Sequence, residues 1–264
     1  MNTTAPIQLV PGSTEADWHR HSNGGGWVYN KATVADSAFV GPDAWVSDNA
    51  QVSGNALVSG EAVIYGNAQV SGDAKVSGNA EVSGNAWVYG HAQVSGRACV
   101  RGNAQVSGRA LVSGNARVTG NALVFGNALV SGDSWVYDHA QVSGNARVSG
   151  NAKVSGDARV TGNAMVSYKA RVSGETWLSG DALVGGHAKV NKYARISGKA
   201  WVNGDAVISD HARVSGKAWV SDNAVVSGDA VVTDNAEVGG KSKVTGDVRV
   251  SGNTIVYNNK LNIQ

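Results

Sequence analysis

Aliphatic and polar positions follow one another along this chain on a ruler of six. From Val28 to Val256 an aliphatic residue recurs at every sixth position, 39 times without an insertion or deletion, and all are Val except Ile64, Leu178, Ile196 and Ile208. Two residues before them stands a small residue, as at Ala50, Ala56, Ala62, Ala68, Ala74 and Ala80. Side chains alternate along a strand, so in Ala-x-Val the Ala and Val face inward while x faces solvent. The pattern predicts three residues of strand followed by a three-residue corner, commonly Ser-Gly-Asn. Glycine stands two after the aliphatic residue in 28 of the 39 hexads, which fits a corner that needs positive φ. Such a short repeat cannot form a hairpin ladder. It forms a coil.

Val52-Ser53-Gly54-Asn55-Ala56-Leu57 is one such unit. An aliphatic residue followed four later by a small one, repeated every six, resembles the hexapeptide motif of left-handed parallel β-helices, and here the resemblance covers residues 28–256. The Ser-Gly-Asn-Ala flavour is similar to that of bacterial and prophage hexapeptide proteins. The family's usual glycine falls one position earlier, where this chain mostly has Ser. The resemblance implies an all-β fold: a single left-handed, three-sided parallel β-helix with three hexads to a coil, hence about 13 coils. Residues 1–26 are expected to form an N-terminal cap, 27–256 the helix, and 257–264 a short C-terminal tail in which Leu261 and Ile263 close the open end. In the first segment Trp18 is the expected anchor and Gly24 to Gly26 a flexible hinge. His19 and His21 read as an exposed polar turn, since no third metal ligand lies near them.

Composition sharpens this picture. With 35 Gly, 2 Phe and 2 Met, the chain must bury many small side chains along a line. Its net charge of +2 demands no polyanionic partner, and its single cysteine, Cys99, excludes an intramolecular disulfide. No apolar run reaches membrane-spanning length, and residues 1–10 lack the regions of a secretion signal. A soluble cytoplasmic protein without membrane contact is expected.

Function must then be sought at the outward x positions, which fall into three faces when read at every third hexad. The third face is the most apolar, with nine of its thirteen x residues apolar against four of thirteen on the second. It carries Phe39, Leu57, Leu111, Leu129, Met165, Leu183, Trp201 and Trp219, and the residue after Val beside them is usually Ser or Gly. Such a stripe predicts a homo-oligomer joined through that face. On the second face Arg159, Trp177, Arg195 and Arg213 align a ring among cations, which suits an anionic ligand.

Many proteins of the resembled family are acyltransferases with a histidine base between subunits, and an enzyme of that kind, using an acyl-CoA or acyl carrier protein donor, is the alternative reading. The sequence supplies little for it. His91, His139, His187 and His211 all occupy the Asn/Asp corner position, no loop interrupts the repeat, and no cluster of histidines could hold zinc. The leading expectation is a non-enzymatic structural or binding rod with no catalytic residues, metal or cofactor.

Overall fold

The computed structural model describes residues 4–262, so Ile263 lies outside the described residues. The chain divides into two compact units, Met1–Gly132 and Asp133–Gln264. In the first, eighteen strands from Trp27–Tyr29 to Leu129–Val130 make six coils, three strands to a coil. Twenty-one strands from Trp135–Val136 to Ile255–Tyr257 make seven coils in the second. Within each unit every strand pairs in parallel with the strand three hexads away: Gln69↔Trp87, Lys75↔Gln93 and Glu81↔Cys99 in the first, and Lys153↔Arg171, Arg159↔Trp177 and Met165↔Leu183 in the second. Three parallel sheets result, one to each predicted face.

The hexad explains this architecture atom by atom. Three backbone N–H groups per hexad donate to the next coil: Gln51 to the Ala68 carbonyl at 2.9 Å, Ser53 to Val70 at 2.9 Å and Asn55 to Gly72 at 2.8 Å. The Ala and Val side chains between them point inward and lie fully buried, from Ala50 and Val52 through Ala236 and Val238. Each buried Val contributes on the order of 1.5–3 kcal/mol, so stability accumulates coil by coil. Outside the coil wall, corner asparagines form a second ladder. The Nδ2 groups of Asn49, Asn67, Asn85 and Asn103 each donate to the Oδ1 of the asparagine three hexads on, at 3.0–3.3 Å.

The open end of the first unit is closed by local structure. Trp18–Arg20 pairs antiparallel with Trp27–Tyr29, and the buried Trp18 ring tilts against Tyr29 with centroids 5.2 Å apart. His21 differs from the expected exposed turn: it is only 6% exposed, with Nε2 3.0 Å from the Ala38 carbonyl. His21 lies just past the strand Trp18–Arg20, where the chain leaves the strand's alternation and turns the ring to the coil end, while His19 stays outside, at Asn30. The glycine segment is likewise an ordered turn rather than a hinge, because Gly25 donates to His21 and Gly26 to Val40. At the C-terminal end of the second unit, Asn258 and Asn259 both have positive φ and turn the chain into an antiparallel strand, Lys260–Asn262. This is the two-residue hairpin that such residues favour.

The corners set the strictest local demand. Gly114 has φ +70°, and a Cβ there would lie 2.9 Å from the Gly132 nitrogen in the next coil. Gly114→Val is therefore expected to lose more than the ~1 kcal/mol of a left-handed side chain and to lower the melting temperature by several degrees. Gln105→Ser, at an outward position, should leave it nearly unchanged, and equal melting of the two variants would refute the corner assignment.

Candidate functional site

The third face of the second unit carries two large exposed apolar side chains on neighbouring strands, Trp201 and Trp219. Trp201 and Trp219 begin strands paired in register, so their rings are carried one above the other. They stack with centroids 5.2 Å apart and planes 7° from parallel, and remain 42% and 41% exposed. The other predicted interface residues differ from the expected bare stripe: Phe39, Leu57, Leu111, Leu129, Met165 and Leu183 are half-buried. In-register neighbours on the same face cover their shorter side chains, whereas the indoles project beyond that layer.

Beside the stack lies a cleft of about 410 Å³, lined by Met165, Ser167, Tyr168, Leu183, Trp201 and Asn203. Two departures from the hexad open it. After the aliphatic residue, where Ser is usual, stands Gly185; a Cβ there would meet Asn203 Oδ1, Ser167 Oγ and Tyr168 Cδ2 at 3.5–3.7 Å. At the corner, where Gly is usual, stands Tyr168 with φ +57°, 72% exposed. A bulky side chain in the left-handed region is strained, and such strain collects at functional surfaces. A smaller cleft beyond the stack, lined by Trp219, Glu237, Gly239, Ile255 and Tyr257, repeats the arrangement. Gly185 and Gly239 occupy the same position of the repeat on the same face. Neither Tyr168 nor these glycines stood out in the face-by-face reading, although each is visible as a break in the consensus.

On the second face Arg159, Trp177, Arg195 and Arg213 are brought into one column by pairing in register. All four are exposed, and the Arg195 guanidinium carbon lies 5.9 Å from the Trp177 ring centroid. On the first face of the first unit, Glu81 accepts hydrogen bonds from Tyr65 (2.6 Å) and Ser83 (3.2 Å). Cys99, expected to face solvent, is only 6% exposed because Arg101 folds over it and donates from Nε to Sγ at 2.9 Å. Burial pushes its thiol pKa up against the opposing pull of Arg101, which keeps it a thiol rather than a nucleophilic thiolate. Burial, followed by the bond to Glu81, also raises the Tyr65 phenol.

The corner histidines join the asparagine ladder. His91 Nδ1 lies 3.4 Å from Asp73, His187 Nδ1 3.4 Å from Asp205 and His211 Nδ1 4.0 Å from Asp229, each pair three hexads apart and exposed. Aspartate also replaces glycine at several corners, and there its carboxylate accepts the next coil's N–H: Gly66 bonds Asp48 at 2.9 Å and Gly240 bonds Asp222 at 2.8 Å. At Asp210, Lys192 and then the Gly228 N–H hold the carboxyl below its ordinary range. Among the described residues no three His, Cys, Asp or Glu side chains converge to hold a metal ion, and no helix is long and apolar enough to cross a membrane.

The YdcK beta solenoid repeat matches this chain over residues 50–66, 104–120, 140–154, 152–168 and 206–222. Over those stretches the chain is similar to this family of β-solenoid repeats, in keeping with its three parallel sheets. Solved structures similar to this solenoid include the UDP-N-acetylglucosamine acyltransferase from Campylobacter jejuni, at 14% identity over 69% of this chain and 67% of that one, with a TM-score of 0.39. The Arabidopsis UDP-N-acetylglucosamine acyltransferase is 11% identical over 86% of this chain and 73% of its own, with a TM-score of 0.28. At these values the likeness extends to neither activity nor substrate. No curated protein matches the solenoid.

Two outcomes are expected. Replacing His91, His139, His187 and His211 together by Asn should keep the solenoid folded, with its melting temperature within about 4 °C of wild type, because Asn is the ladder's usual member; loss of cooperative melting would refute the ladder role. Tyr168→Gly should raise stability by about 1 kcal/mol, since it relieves a left-handed side chain that buries little, and a fall in melting temperature would show that Tyr168 is anchored.

Proposed function

We propose that this solenoid is a non-enzymatic structural or binding protein that self-associates through the third face of its second unit. The observation that carries the reading is the stacked and exposed Trp201–Trp219 pair beside the Leu183–Tyr168 cleft. Stacked indoles are rigid and already lack water between them, so covering them costs little side-chain entropy and gains large apolar area. A projection next to a cleft on one surface is the pattern by which two copies fit each other around a two-fold axis, each placing its ridge in the other's cleft. The strain held at Tyr168 supports a selected surface there. A second copy of the chain is the partner that meets both features at once.

The corner histidines weigh against the acyltransferase alternative. His91, His187 and His211 are each paired with one ladder aspartate at an exposed corner. A general base needs an oriented substrate beside it, and no extruded loop forms walls around these rings.

Sedimentation of the full chain at micromolar concentration should give an oligomer. Trp201→Glu with Trp219→Glu should yield a folded monomer, raising the dissociation constant by at least about thirtyfold for a 2 kcal/mol loss. Arg195→Glu with Arg213→Glu, on the second face, should leave the oligomer intact. A monomeric wild type, or an oligomer that survives the double-tryptophan change, would overturn the proposal.

A further inference from the structure

The corner that follows the Met165–Val166 strand holds side chains that the ladder does not require. Lys169 stands where asparagine is usual, followed at the same corner of the next coils by His187 and Asp205. Arg171 and Lys189 begin first-face strands that pair in register, and Lys153 precedes them in the same column. Like charges placed opposite one another on a sheet are destabilising, so three consecutive cations need a compensating interaction. Lys153 lies over the Trp135 ring, 5.4 Å from its centroid, whereas Arg171 and Lys189 have no such neighbour among the described residues. Among the described residues no carboxylate lies within ion-pair distance of Lys169, Arg171 or Lys189.

Lys169, Arg171, His187, Lys189 and Asp205 together line an open cleft of about 330 Å³. Asp205 is the one acid in the lining, and it faces His187 Nδ1 at 3.4 Å. Three fixed positive charges therefore meet a single carboxylate that already has a neighbour. We propose that this cleft binds a tetrahedral oxyanion, the phosphate or sulfate group of a ligand. The planar guanidinium of Arg171 can give two parallel N–H bonds to such a group, while Lys169 and Lys189 act as point charges on either side of it. Positions at the corner and on the first face leave the cleft clear of Trp201 and Trp219, so the inference stands apart from self-association.

The test uses the full-length chain, titrated with sodium phosphate, sodium sulfate and sodium acetate at constant ionic strength and constant pH. Histidine ring signals are followed by NMR, with His187 assigned from the His187→Asn spectrum. Phosphate or sulfate should move the His187 signal saturably, with a dissociation constant of about 1 mM, and should leave His91 and His211 in place. The ratio of the two affinities then distinguishes a phosphate ester from a sulfate ester. Arg171→Gln with Lys189→Gln should weaken binding at least about tenfold, whereas Lys199→Gln, at another corner, should not. Phosphate should also raise the melting temperature of the wild type but not of the double variant, a readout that checks the variant's folding. Equal movement of all histidine signals, acetate as effective as the dianions, or unchanged affinity in the double variant would overturn the proposal.

Discussion

Everything in this protein depends on a backbone that meets itself at every third hexad. Each hexad donates three N–H groups to the coil ahead, and this ladder brings successive corners so close that a side chain at Gly114 would press on the Gly132 nitrogen. Glycine solves the problem with its freedom at positive φ. Aspartate solves it another way at Asp48 and Asp222, where the carboxylate takes up the next coil's corner N–H and so offsets the left-handed backbone. That device also explains why the repeat tolerates Asp but seldom a residue such as Tyr168 at this position.

Because each coil contacts mainly its neighbours, the interior can be nearly monotonous. Ala and Val alone fill most of it, and even polar substitutes are absorbed when a carbonyl is in reach. Ser242, at an alanine position, donates to the Gly239 carbonyl at 2.7 Å. Coil ends need different chemistry, since their backbone groups have no further coil to meet. The first unit answers with an antiparallel strand and His21, and the second with the Asn258–Asn259 hairpin.

The outer surface is where one coil becomes different from another. The departures from the hexad lie there: Tyr168 for glycine, Gly185 for serine, Lys169 and His187 for asparagine. These departures gather on neighbouring coils of the second unit, some on the third-face side of a corner and some on the first-face side. The aromatic ridge and the cationic cleft are thus neighbours built from one stretch of repeats, with different chemistry and separate tests.

The sequence by itself determined the strand and corner positions and the inward Ala and Val, because a strict six-residue period puts every small side chain on one side of the strand. The pairing of every third hexad was implied by the family resemblance, since any multiple of six keeps that pattern. The sequence also placed the corner histidines in the asparagine ladder. Tertiary structure alone decided how far each outward side chain projects. Leu183 and Trp201 share a face and a position in the repeat, yet neighbours half-bury the first and leave the second exposed. Cys99 vanished beneath Arg101, its second neighbour along the chain, and His21 turned inward to close a coil end. The 165–203 cleft arose where a missing Cβ at Gly185 met a displaced ring at Tyr168. Such outcomes depend on side-chain length and on neighbours in the adjoining coils, which a one-dimensional period does not weigh.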